Sequence, residues 1–333
     1  MIYSFIKNIV VQKPIIHLLD NKAIYRHFDG SITNQLEVIQ DKLISLEIPN
    51  DVLCYYYASF YVLSWKNLII KVKVNNQKIS QMYCQYNEPN KKRYIMQLQY
   101  DGSHYSGFQK QPDKKTVQGT LEDVLSALCN HPVFVHASGR TDRGVHALKQ
   151  TIHFDSHSAL PMSRLLSILN TTLPGDINVL QIHKAPPIFH TRYDAIHKTY
   201  RYIITRDRDP YRSHYAYHIK TWETALIRDK LDLFKGPNDF ANFSKKSEKS
   251  STVRIIHHIH IFEENDDLII DITANGFLHN MVRIMIGAAL YLDLETIEKG
   301  LRTPQIPIAK HVVPASGLYL KNVGYNAHSY KVK

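Results

Sequence analysis

The chain has 333 residues, 44% hydrophobic and 21% charged, with a formal net charge of +11. That apolar fraction supports packed cores and excludes wholesale disorder, and the length suits two or three packed units. The basic excess is spread, +4 over residues 1–92 and +7 over 93–333, so it belongs to a folded surface that can follow a polyanion and not to a basic tail.

At the N-terminus, Lys7 and Lys13 interrupt the apolar stretch, so no basic–apolar–small order of a signal peptide is read there. The most apolar segment, Val52 to Trp65, is followed by Lys66 and Asn67 and is too short to span a bilayer. Cys54, Cys84 and Cys129 lie far apart without a CxxC pair, which points to a reducing compartment and against a cysteine zinc site. The expected location is the cytoplasm. Residues 1–92 are rich in Ile, Tyr and Asn and carry no catalytic motif. The polar run Tyr86 to Lys92, with Pro89 inside it, reads as a linker and sets a boundary near residue 92.

Beyond that boundary the pattern becomes regular. Tyr94, Met96, Leu98 and Tyr100 alternate with Gln97 and Gln99, a half-buried strand, closed by the turn Asp101-Gly102-Ser103. Val117, Leu121, Val124, Leu125 and Leu128 follow at helical spacing, with Thr116 placed to cap. Leu148, Ile152 and Phe154 mark a strand, and Leu165 to Asn170 a helix that ends before Leu173-Pro174-Gly175-Asp176. Residues 177–183 and 197–205 read as strands, and 222–234 as a helix. Residues 253–262 and 267–274 read as a hairpin. A long apolar helix is expected over 277–293 and a shorter one over 294–302. The expected class is α+β: two related α/β halves, 93–196 and 197–333, with mainly antiparallel sheets flanked by helices and a cleft between them.

The chemistry concentrates in Ser138-Gly139-Arg140-Thr141-Asp142-Arg143-Gly144-Val145-His146-Ala147. Two glycines allow the tight backbone of a short charged loop. An acid between two arginines is expected to stay ionised, and so can serve as nucleophile or base, although spacing alone favours a loop salt bridge.

The sequence GRTDRGVHA resembles the signature of the TruA family of tRNA pseudouridine synthases. Further segments resemble the family in the same order. They are YDGSHYSGFQKQ (100–111), TVQGTLEDVLSAL (116–128), LPGDINV (173–179), FHTRYDAIHKTYRYII (189–204), NDFANFS (238–244), NGFLHNMVRIMIG (275–287) and PASGLYL (314–320). The resemblance covers about residues 93–330 and implies the pseudouridine synthase fold and the isomerisation of uridine in the anticodon stem-loop, at tRNA positions 38 to 40. It implies Asp142 as catalytic aspartate, starting glycosidic bond cleavage by attack on ribose or uracil or by taking a sugar proton. It implies Tyr200 stacked on the uracil, although Tyr200, Tyr202 and Ile204 also alternate as a core strand face would. Arg140 is implied to contact phosphate or hold the flipped nucleotide, and Arg192 to contact RNA or form a structural ion pair. Arg283, in a mostly apolar helix, needs a partner, and the implied partner is Asp142. No metal or organic cofactor is implied, because the isomerisation has no net redox change or hydrolysis. The implied partners are tRNA and a second copy of the chain in a homodimer.

The 19 histidines give no metal site by spacing. His153 with His157 and His214 with His218 have HxxxH spacing outside any predicted helix; in a strand such residues lie roughly 13 Å apart. Arg143 and Phe108 depart from the residues common in the family without removing a functional group. The larger departure is residues 1–92, with Met82 close to where a family member would begin. A tRNA-binding or chaperone protein without catalysis is the competing function class, and the presence of Asp142, Tyr200 and Arg283 argues against it. A metal-dependent nuclease would need a second carboxylate that the motif lacks.

Overall fold

A computed structural model describes residues 24–26, 30–31, 53–57, 60–65, 68–75, 78–86, 90–157, 160–245, 251–303 and 308–326. The chain divides into two compact units, the first drawn from Met1–Lys92, Pro186–Phe189 and Ala327–Lys333 and the second comprising Arg93–Ala185 and His190–Asn326.

The first unit is an antiparallel sheet. Its strands are β1 (Ile24–Arg26), β2 (Gly30–Ser31), β3 (Leu53–Tyr57), β4 (Phe60–Trp65), β5 (Leu68–Asn75) and β6 (Lys78–Tyr86). They run β1-β6-β5-β4-β3, with β2 also on β6. The apolar segment noted in the sequence is the β3–β4 hairpin, pairing Leu53 with Ser64 through Tyr57 with Phe60. Val62 and Ile69 are buried. Residues 87–89 of the expected linker lie outside the described residues.

The second unit is built on one ten-stranded sheet. Its strands are β7 (Lys92–Tyr100), β8 (Val135–Ala137), β9 (His146–Ser156), β10 (Ile177–Ala185), β11 (Ala195–Thr205), β12 (Tyr217–His218), β13 (Gly236–Asp239), β14 (Val253–Glu264), β15 (Asp267–Ala274) and β16 (Leu318–Tyr325). The order is β10-β7-β9-β16-β11-β15-β14-β13, with β8 on β9 and β12 on β11. β10 with β7, β8 with β9, β11 with β15 and β16, and β14 with β13 and β15 pair antiparallel, whereas β11 with β12 and β9 with β16 pair parallel. The sequence led us to expect two sheets. They are joined into one by β16, which meets β9 at Tyr319↔His146 and Leu320↔Ala147 and runs beside β11 from Ala195↔Tyr325 to Tyr202↔Leu318.

Five helices flank this sheet among the described residues: α1 (Val117–Cys129), α2 (Met162–Thr172), α3 (Thr224–Asp232), α4 (Met281–Tyr291) and α5 (Leu294–Arg302). Helix α1 buries Val117, Leu121 and Leu125, one stripe at i, i+4 and i+8. Thr116 caps it as expected, accepting from the Gly119 amide, and Asn130 ends it in the left-handed conformation. The helix expected over 277–293 is shorter at both ends. Asn280 has φ of 57°, which breaks the helical path before Met281, and Leu292 is extended. Asp293 then caps α5 through the Thr296 amide. Helix α4 is buried nearly all round, which explains its unbroken apolar sequence.

Candidate active site

The loop between β8 and β9 carries the charged motif, and several of its peptides are held. The Ser138 amide donates to Thr151 O (2.9 Å), the Phe108 amide donates to Thr141 O (3.0 Å) and the Val145 amide donates to Asp142 O (3.1 Å). Ser138 Oγ donates to Gln150 Oε1 (2.7 Å), whose amide nitrogen donates to Gly139 O (2.8 Å). Thr141 Oγ1 lies 2.8 Å from the Tyr100 hydroxyl. Gly144 has φ of +75°, a conformation few other residues adopt. His146 closes the loop, taking the Gly102 amide on Nδ1 (3.1 Å) and reaching His214 O with Nε2 (2.8 Å). Burial lowers the His146 pKa, against the opposing pull of Asp101. The loop thus fixes Asp142 while leaving its side chain 39% exposed, a rigid mount for a reactive carboxylate.

Three other elements reach Asp142. His279, in the turn before α4, places Nε2 3.7 Å from Asp142 Oδ1. Tyr200 on β11 is within range of the Asp142 charge; burial, then the charges of Tyr100 and Asp142, push its pKa up. Its ring meets Phe277 edge-on at 5.1 Å. Tyr200, Tyr202 and Ile204 are all buried, so the core-face reading of this strand also holds. Tyr200 feels the Asp142 charge, whereas Tyr202 donates to Pro314 O (2.9 Å).

Arg283 departs from expectation. Its Nε donates to Val313 O (2.7 Å), and its NH1 to Asn280 Oδ1 (3.4 Å). Among the described residues it forms no direct ion pair with Asp142; burial lowers its pKa and the Asp142 charge opposes that through space. The reason is geometric. Asn280 is left-handed and its side-chain oxygen, with the 313 carbonyl, takes the guanidinium, while the His279 ring lies nearest Asp142.

Arg140 and Arg192 are both exposed and share one field. Desolvation, then the Arg192 charge, lowers the Arg140 pKa. Arg192 lies over the Tyr193 ring at 5.8 Å, and its amide donates to His190 Nδ1 (3.1 Å). The structure therefore groups Asp142, Tyr200 and Arg283 by electrostatic contact, and Arg140 with Arg192 as a second, basic group.

Sequence reasoning missed His279, although it stands inside the quoted NGFLHNMVR segment. It also missed a histidine cluster. His136 and His153 face each other across β8 and β9, and with His190 they present ligand atoms within 4.8 Å of one another. Their hydrogen bonds fit structural work better than ligation. His190 Nδ1 accepts from the Arg192 amide, so the proton sits on the other ring nitrogen, the one that would have to bind an ion.

Comparison with known proteins now has a geometry to attach to. A family model described as tRNA pseudouridine synthase matches residues 96–194 and 231–326. A tRNA pseudouridine synthase A from an Exiguobacterium species is 39% identical over 242 residues, covering 70% of this chain and 98% of that protein. Its counterpart in Levilactobacillus brevis is 38% identical over 247 residues, covering 70% of this chain and 93% of that one. The one in Caldicellulosiruptor bescii is 38% identical over 241 residues, 69% and 98% respectively. Among solved structures, a Cbf5-Nop10-Gar1 complex is similar only at a TM-score of 0.28 and 11% identity, over 59% of this chain and 54% of that one, too low to carry an argument. The chain belongs to the tRNA pseudouridine synthase family.

Proposed function

We propose that this protein isomerises uridine to pseudouridine in tRNA, with Asp142 as the catalytic carboxylate. The observation that carries the reading is the Asp142 mount: a loop tied at several peptides, in a chain of this family, presenting one accessible carboxylate whose charge is felt by a buried tyrosine. Asp142 starts cleavage of the bond from ribose carbon 1′ to uracil nitrogen 1, and the freed uracil turns and rejoins through carbon 5, which then loses its proton while nitrogen 1 ends up carrying one. The target nucleotide must leave its stack, and Tyr200 supplies the aromatic face that receives the base. Burial raises the Tyr200 pKa, and its part is to hold the base. Arg283 steadies the site from α4 through its charge. Arg140 and Arg192 take the phosphates of the strand that enters.

The finer assignments belong to the same proposal. The substrate uridines are those at tRNA positions 38 to 40, the enzyme acts as a homodimer in the cytoplasm, and residues 93–196 and 197–333 are the two halves of the synthase. The register of β11 on β16 shifts between Ala195 and His197, at the join of those halves. Residues 1–92 form an added unit.

The test uses purified protein and unmodified tRNA carrying uridine at 38–40, with pseudouridine measured position by position. Product is expected from the wild type and none from Asp142→Asn. No wild-type product, or full product from Asp142→Asn, refutes the assignment.

A further inference from the structure

Lys198 lies on β11 two residues before Tyr200, so both side chains leave the strand on the same face. Its Nζ donates to the Ser138 carbonyl at 2.5 Å, at the residue where β8 turns into the Asp142 loop. Among the described residues it meets no carboxylate. Burial, then the charge of Arg192, lowers its pKa. Lys198 is half-buried, and the carbonyl it meets offsets part of the hydration its ammonium gives up.

The neighbouring glycine carries the same message. A Cβ on Gly139 would lie 3.1, 3.7 and 3.8 Å from Nζ, Cε and Cδ of Lys198, its three nearest neighbours. Gly139 is not among the positive-φ residues, so its backbone would accept alanine. What the missing side chain leaves room for is the lysine.

We infer that Lys198 is a positioning residue: its Nζ grips the Ser138 carbonyl and sets the height of the Asp142 loop over Tyr200. The strand that carries the base-stacking ring also carries the brace for the loop that carries the carboxylate. Two residues of β-strand then separate the brace from the ring, adding to the bonds that hold the loop itself. The inference rests on Asp142 being the catalytic group.

Lys198→Met removes the grip, and Gly139→Ala displaces it by a separate route. Each is expected to lower kcat on unmodified tRNA, on the order of tenfold to a hundredfold, as small misplacements of reacting groups do. The dissociation constant for tRNA should change less than threefold. The double variant should be no slower than the worse single one, because both changes break one contact. Lys198→Met with kcat within twofold of wild type overturns the inference, as do multiplicative losses in the double variant or a tRNA affinity that falls in step with kcat. If Lys198→Met does not fold, Gly139→Ala decides alone, and kcat within twofold of wild type overturns the brace. Asp142→Asn run alongside separates the two claims. An inactive Asp142→Asn with a fully active Lys198→Met removes only the brace, whereas an active Asp142→Asn removes the assignment beneath it.

Discussion

Replacing Gly102 by alanine drives a methyl group into the backbone that holds Asp142. The added Cβ would lie 2.0 Å from Val145 O and 2.6 Å from its carbonyl carbon. Both are main-chain atoms, so no rotamer change relieves the overlap, and Val145 must retreat by about 1 Å or more to reach a normal contact. The Val145 amide donates to Asp142 O, and the Gly102 amide donates to His146 Nδ1, so the retreat carries into the loop from both ends. Overpacking of this kind costs about 1–3 kcal/mol. At about 2–4 °C per kcal/mol for a unit of this size, the melting temperature should fall by roughly 2–12 °C. A displacement of about 1 Å at the reacting carboxylate costs on the order of a hundredfold in rate. Thermal unfolding by circular dichroism and pseudouridine formation at saturating tRNA measure the two effects. A variant that melts within 1 °C of wild type and keeps kcat within about twofold would show that the loop is not held as described.

Arg201 donates to both carboxylate oxygens of buried Asp271 (2.8 and 2.9 Å), and Lys321 donates to one of them (2.7 Å). Arg201→Met should therefore cost about 3 kcal/mol in urea unfolding, because it strips one partner from a buried charge; a loss under about 1 kcal/mol contradicts that view. Burial alone would raise the Asp271 pKa, but the hydrogen bonds from Arg201 and Lys321 override it and lower the net value. Its contribution is thus fully present above the ordinary carboxylate range of about 4 and is lost as pH falls through the lowered value. Asp271→Asn should flatten that acid limb of the melting curve. Lys198, lowered from 10.5 to about 8 by burial and Arg192, works in the opposite sense. Between those values only the unfolded chain binds the proton, so stability should rise with pH there, and Lys198→Met should remove the slope.

The elements that could be read from the sequence are those whose signals are local. Helix α1 follows from Val117, Leu121 and Leu125 with Thr116 before them, and the β14–β15 hairpin from alternation on either side of Asn265-Asp266. Helix α4 was read too long because apolar residues continue into Phe277 and Leu278, while the turn at Asn280 depends on a single backbone angle. Strand β16 went unread as a strand, although its PASGLYL segment was noted. Its place between β9 and β11 is a long-range pairing that no local period encodes.

The candidate site divides the same way. The sequence by itself determined the carboxylate, its glycine-bracketed loop, the tyrosine and the arginines, because family motifs preserve chemical groups in order along the chain. Only the tertiary structure decided which groups meet. It gave Arg283 to Val313 and Asn280, brought His279 to 3.7 Å from Asp142, and set Lys198 under Ser138. Those contacts join residues 60 to 137 positions apart or hang on the left-handed turn at Asn280. Such contacts are settled by how strands register and turns close, and not by the residues' neighbours in sequence.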